Sequence, residues 1–113
     1  MTIRETLGEL ELYVLVALAR LGDEAYGVTI RREIERRSRR ATSMGAVYAT
    51  LGRLADKGYV TFHFSEPLPV RGGRSRKHAV LTAAGRRALR DSVRALDGML
   101  AGLELGFTSE RPS

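Results

Sequence analysis

The chain has 113 residues, 19 lysine and arginine against 13 acidic residues, and a net charge of +6. It has no cysteine and no tryptophan, which excludes a disulfide framework and a thiolate metal site. The length suits one domain with a modest core, and a pI near 10.5 points to a polyanionic partner, nucleic acid before membrane.

Lys57 and Lys77 are the only lysines, so nearly all the positive charge is arginine, whose planar fork suits phosphate and guanine. No apolar run approaches the 18 residues of a membrane span. The opening "MTIRETLGEL" lacks the charged-then-apolar pattern of a secretory leader, so a cytoplasmic protein is expected.

A first helix is predicted over Leu7 to Leu21. Leu10, Val14, Leu18 and Leu21 keep helical spacing, while Leu12, Tyr13, Leu15 and Val16 fill the other sides. A helix apolar nearly all round needs cover nearly all round, a first sign of a partner subunit. Gly22 ends this helix and Asp23 is the expected cap of the next.

The second helix, Ala25 to Arg37, carries Tyr26, Ile30 and Ile34 on one stripe. Arg31, Arg32 and Arg36, with Arg39 and Arg40 beyond them, form a basic outer face. Thr42 or Ser43 caps a third helix in which Met44, Val47, Leu51 and Leu54 make a narrow buried stripe, and Gly58 supplies a left-handed stop. Opposite that stripe lie Gly45, Ala46, Ala49 and Gly52. These are small for a solvent face, and a mid-helix glycine costs about 1 kcal/mol against alanine.

The period then changes. In "YVTFHF", Val60, Phe62 and Phe64 alternate with Tyr59, Thr61 and His63, as in a half-buried strand, and "KHAVL", Lys77 to Leu81, is a second. Between them, "SEPLPVRGGRSR" is too long for a tight hairpin turn. "VRGGRSRK" holds four cations, two glycines and no acid. Thr82 caps a last helix expected to run toward Gly106, with Leu89, Val93, Leu96, Leu100, Leu103 and Phe107 on a heptad seam. "TSERPS" reads as a frayed tail.

Three helices, a strand, a long basic loop and a strand make the order of a winged helix-turn-helix. There the third helix enters the major groove and the loop is the wing. The fold class is therefore mostly α with a small β-ribbon: a DNA-binding domain over 1–81, a dimerisation helix over 82–107 and a disordered tail over 108–113. The candidate DNA contacts are Ser43, Gly45, Ala46, Tyr48, Ala49 and Arg53 of the third helix, with Arg71, Arg74, Arg76 and Lys77 of the wing. The small face admits a close approach to base edges, alanine methyls meet thymine methyls, and the wing cations meet phosphate. Arg53 reaches either a phosphate or a guanine. The expected dimer interface comprises Leu12, Leu15, Leu96, Leu100, Leu103 and Phe107.

His63 and His78 are the only histidines, and neither pairs with a carboxylate at helical spacing, so no metal and no cofactor are expected. No catalytic triad order, nucleophile elbow or P-loop appears, so the chain does not read as an enzyme.

Several segments resemble the PadR family of bacterial transcriptional regulators over roughly residues 5–105. The resemblance rests on the Tyr26-Gly27 pair, Tyr48-x-x-Leu51-x-x-Leu54, Lys57-Gly58, Arg76-Lys77 and Leu81-Thr82-x-x-Gly85. It is closest to the family's smaller group, with a single C-terminal helix. It implies a homodimer joined through the last helix with help from the first. It also implies binding to a palindromic operator in double-stranded DNA, repression, and release by a small aromatic or drug-like effector. The sequence departs from the family at His78 and Ala79, where two aromatics are common, and at Gly52, where a polar residue is expected. The missing tryptophan removes the stacked-tryptophan drug pocket of some relatives. Two other readings of the same residues remain open: a non-specific architectural DNA binder and a winged-helix module that binds protein.

Overall fold

The computed structural model describes residues 7–64 and 76–103. Helix α1 spans Glu9–Leu21, α2 Gly27–Ser38 and α3 Met44–Asp56. Strands β1, Val60–Phe64, and β2, Lys77–Leu81, precede α4, Ala83–Leu100. The mostly helical architecture with a two-stranded ribbon is the winged-helix arrangement expected from the order of elements.

Local signals account for most boundaries. Gly22, at φ +56°, closes α1, and Gly58, at φ +80°, stops the chain after α3. The Ser43 hydroxyl accepts the Ala46 N–H at 3.0 Å, and the Thr82 hydroxyl accepts the Gly85 N–H at 2.9 Å. Each cap thereby satisfies one orphan donor of a first helical turn. Asp23 does not cap α2, as it lies in a 3₁₀ turn over Gly22–Glu24. Thr29 closes that turn instead: its hydroxyl oxygen accepts the Tyr26 N–H at 3.0 Å. Arg39 ends α2 in the left-handed region at φ +60°, a position usually held by glycine.

The core is one cluster in which Val14, Leu15 and Leu18 of α1 meet Ile30 and Ile34 of α2 and Val47, Leu51 and Leu54 of α3, with Val60 and Ala79 from the ribbon. Leu15 is fully buried within the single chain and has no surface to offer a partner. Its place in the expected dimer interface is therefore corrected: α2, α3 and the ribbon already enclose that side of α1. Leu12 stays half-buried and Val16 exposed.

β1 and β2 pair antiparallel with Val60 opposite Leu81 and Phe64 opposite Lys77. A third extended segment joins them: Tyr26 bridges His78, and the Ala79 N–H donates to the Ala25 carbonyl at 2.9 Å. Helix α4 starts against the root of the ribbon. There the Thr82 N–H donates to the Tyr59 carbonyl at 3.0 Å and the Thr82 hydroxyl to the Gly58 carbonyl at 2.7 Å.

The last helix is shorter than expected. After Leu100 the chain turns through Ala101, at φ −58° and ψ 130°, and Gly102, at φ +78°, and the Leu103 N–H reaches the Leu100 carbonyl at 3.0 Å. This is a type II turn, with glycine where φ must be positive. Leu103 therefore lies beyond the helix and off the heptad seam assigned to it. Phe107 and the tail over 108–113 lie outside the described residues. Leu89 packs on the core, whereas Val93, Leu96 and Met99 are exposed.

Candidate nucleic-acid interface

Helix α3 turns Val47, Thr50, Leu51 and Leu54 inward, which leaves Gly45, Tyr48, Ala49, Gly52 and Arg53 exposed. Ala46 is half-buried at the edge of this face. A Cβ added at Gly52 would meet no atom within 4 Å, and one at Gly45 only the Ser43 hydroxyl at 3.9 Å. Packing within the chain therefore does not demand either glycine.

Tyr48 is 54 % exposed and lies across the first turn of α2. A Cβ on Gly27 would stand 2.6 Å from the Tyr48 hydroxyl oxygen, so the glycine is what lets the ring lie there. The Tyr26-Gly27 pair and Tyr48 thus form one contact between α2 and α3. Arg53 donates from Nη2 to the Thr50 hydroxyl oxygen at 3.1 Å.

At the wing root, the Arg76 guanidinium lies 4.7 Å from the Tyr26 ring centroid, and the Lys77 ammonium 4.2 Å from that of Phe62. Tyr26 meets His78 edge to face at 5.7 Å, and His78 stacks on its cross-strand partner His63 at 5.0 Å. These aromatics hold the two cations by cation–π attraction. The structure thereby brings Arg76 and Lys77 onto the ribbon next to the wing. Arg71 and Arg74 lie outside the described residues. His63 and His78 build a ladder, and among the described residues no group of histidine and carboxylates is arranged to hold a metal.

The basic face expected on α2 is partly paired and keeps a net positive charge, because Arg20, Arg36 and Arg37 share the single Glu33 carboxylate. Arg31 pairs with Glu35 at 2.8 Å, Arg36 and Arg37 with Glu33 at 2.6 and 2.5 Å, and Arg40 with Glu9. Glu33 also takes Arg20 of α1 at 3.1 Å. Hydrogen bonds from Arg37 and Arg36 outweigh the cost of burial and pull the Glu33 carboxyl down to about 2. Burial likewise opposes the charge on Glu11, but hydrogen bonds from Lys57 at 2.8 Å and the Gly8 N–H at 2.8 Å prevail and hold its carboxyl below the ordinary carboxylate value. The Lys57–Glu11 link ties the end of α3 to the start of α1, and no periodicity announces it, because its residues lie 46 positions apart.

Between α1, α2 and α4 lies an open cleft of about 620 Å³. Leu12, Tyr13, Val16, Ile34, Val93 and Leu96 line it, together with the Arg20–Glu33–Arg37 cluster.

Residues 14–91 match the model of the Transcriptional regulator PadR-like family, more than half of the chain. The chain belongs to the PadR-like family. No curated protein matches it by sequence. Solved structures share its fold. Over 82 % of this chain and 95 % of that one, it is similar to a PadR family transcription regulator from Clostridium difficile (TM-score 0.64, 22 % identity). F93 from STIV, a winged-helix DNA-binding protein, is similar over 88 % of this chain and all of its own (TM-score 0.67, 19 % identity). Bacillus subtilis PadR in complex with operator DNA is similar over 90 % of this chain but only 53 % of its own length (TM-score 0.60, 21 % identity). Among the described residues no helix is long and apolar enough to cross a membrane, in keeping with a family of transcriptional regulators.

Proposed function

We propose that the protein is a dimeric, sequence-specific DNA-binding repressor. In this reading α3 enters the major groove, presenting Ser43, Gly45, Ala46, Tyr48, Ala49 and Arg53. The wing, with Arg71, Arg74, Arg76 and Lys77, grips the flanking backbone. The observation that carries the reading is the exposed face of α3, small at Gly45, Ala49 and Gly52 and flanked by Tyr48 and Arg53, in a family of transcriptional regulators, together with wing-root cations held on aromatic rings. Bacillus subtilis PadR, which shares the fold, is known in complex with operator DNA. A winged-helix dimer with two-fold symmetry sets its recognition helices about 34 Å apart, one turn of the double helix.

The dimer is built on the exposed apolar strip of α4, Val93, Leu96 and Met99, continued by Leu100 and by Leu12 and Val16 of α1. The cleft shares Leu12, Val16, Val93 and Leu96 with this strip, so an effector there sits at the dimer interface. Its apolar walls suit an aromatic body.

Selection of bound fragments from genomic DNA by the purified protein tests the reading, followed by anisotropy titrations of the selected fragment at several salt concentrations. A steep fall of affinity with salt is expected, and Arg74→Ala with Arg76→Ala reduces the slope by about one for each phosphate no longer neutralised. An unchanged slope removes the wing as the grip. Equal binding to selected and random fragments converts the protein into an architectural DNA binder, and no binding at low salt favours a protein partner.

A further inference from the structure

Arg39 holds a backbone conformation that does not suit it. It follows the last residue of α2 at φ +60° and ψ +21°, and among the described residues no other non-glycine has a positive φ. Left-handed backbone strains any residue with a Cβ, so helices that end this way usually end on glycine. The fold accounts for the conformation. The Arg39 N–H donates to the Glu35 carbonyl at 3.0 Å and the Arg40 N–H to the Ser38 hydroxyl oxygen at 3.2 Å, which turns the chain out of α2. Glycine would make the same turn without strain, so the turn does not account for an arginine.

The Arg39 side chain is exposed, and its guanidinium makes no hydrogen bond or ion pair with any described residue. Its neighbours differ. Glu35 takes Arg31, Glu33 takes Arg36 and Arg37, and Glu9 takes Arg40. Arg32 is likewise without a described carboxylate, but it stands on the side of α2 opposite Ile30 and Ile34, inside the helix. Arg39 stands four residues ahead of Ser43, the cap of α3, in a segment with neither helix nor strand. Four residues span at most about 14 Å. The N-terminal residues of a recognition helix meet base edges in a groove about 12 Å wide, walled on both sides by phosphates. An arginine just ahead of that end has a wall within reach. The two hydrogen bonds on either side of its Cα fix the direction in which its side chain leaves the turn.

We infer that Arg39 is a phosphate contact of the turn before α3, one in each half-site, and that its left-handed backbone is a loss of stability retained for that contact. The inference rests on the DNA-binding reading above. It adds a grip at the entry of the recognition helix, separate from the wing that follows its exit.

The test measures the full chain in two ways: thermal unfolding by circular dichroism, and anisotropy titrations of the fragment selected from genomic DNA at several salt concentrations. Arg39→Gly is expected to raise Tm by about 2–6 °C, because the strain leaves with the side chain. The same variant lowers the slope of log affinity against log salt by about one per half-site, with an equal loss on every sequence. Arg39→Asn, which tolerates left-handed backbone, lowers it equally. Arg39→Lys keeps it, since a phosphate accepts a point charge, and Arg32→Gln keeps it as well. An unchanged slope in Arg39→Gly overturns the inference, and so does a Tm that does not rise. A slope lost in Arg39→Gly but kept in Arg39→Asn places the effect in the backbone, and an equal loss in Arg32→Gln makes it one of net charge; either overturns the contact. A slope lost in Arg39→Lys overturns the assignment to phosphate. A wild type that binds no DNA at low salt brings down the DNA-binding reading and this contact together, a result distinct from all of these.

Discussion

Replacing Gly85 with alanine tests how α4 is seated. The new Cβ would stand 2.2 Å from the Tyr59 carbonyl oxygen, 2.9 Å from Leu81 Cδ1 and 3.1 Å from the Tyr59 carbonyl carbon. Carbon and oxygen rarely approach closer than about 3.3 Å, so the helix must retreat by about 1 Å. The obstacle is backbone, held in place because the same carbonyl accepts the Thr82 N–H at 3.0 Å. Retreat stretches that bond and the Thr82 hydroxyl bond to the Gly58 carbonyl, 2.7 Å. Overpacking costs about 1–3 kcal/mol and a weakened cap about 1 kcal/mol, while alanine returns about 1 kcal/mol of helix propensity. The net is a destabilisation of about 1–3 kcal/mol, a fall in Tm of about 4–12 °C for a domain of this size. Thermal unfolding followed by circular dichroism at fixed protein concentration measures it. Gly98→Ala, on the same helix with nothing within 4 Å of the added Cβ, is the control and should raise Tm. A Gly85→Ala protein as stable as the wild type would refute the close approach.

Gly27→Ala should separate stability from binding. The atoms in its way, the Tyr48 hydroxyl oxygen at 2.6 Å and Met44 Cε at 2.9 Å, are ends of flexible side chains that can swing aside. Tm should move by less than about 4 °C, the equivalent of about 1 kcal/mol, while anisotropy shows weaker DNA binding because Tyr48 is displaced. Glu33→Gln addresses acid stability. A carboxyl pulled from an ordinary 4.5 to about 2 adds stability that is full above 4.5 and is lost as pH falls through 2. The variant should be less stable at pH 7, and its Tm should fall less steeply than the wild type's between pH 5 and 2; parallel Tm profiles would deny the carboxyl this role. Leu96→Glu places a charge on the exposed strip of α4, and sedimentation should give a dimer for the wild type and a monomer for the variant; an unchanged mass would move the interface elsewhere.

Element types and their order were legible because their signals are local. Serine and threonine caps, a left-handed glycine at position 58 and the switch from helical to alternating spacing after Tyr59 each depend on neighbours a few residues away. β2 falls on the five residues expected for it. The end of α4 was less legible, since the heptad spacing of Leu103 and Phe107 continues past a turn made by Ala101 and Gly102. Hydrophobic spacing reports which positions want cover, and it carries no penalty for a backbone that leaves the helix. The third extended segment at Ala25 and Tyr26 was invisible for the opposite reason: it is too short to have a period.

The candidate site divides in the same way. Gly45, Ala49 and Gly52 could be recognised as an unusual face from composition alone, and the structure adds that nothing within the chain occupies the space above Gly52. The basic character of α2 was readable, and so was the local spacing of its pairs with Glu33 and Glu35, but the cross-helix pairs were not, because Arg20 and Glu9 arrive from α1.

By itself the sequence determined the kinds of element, their order, their caps and the excess of arginine, since each of these follows from backbone geometry and charge within a few residues. Only the tertiary structure decided that Leu15 is sealed within one chain, that Tyr48 lies over Gly27, that Gly85 touches the Tyr59 carbonyl and that Lys57 reaches Glu11 across 46 positions. Each of these depends on which faces meet when helices pack. That is settled by the joint shape of all the side chains in contact, a property that no short stretch of sequence contains.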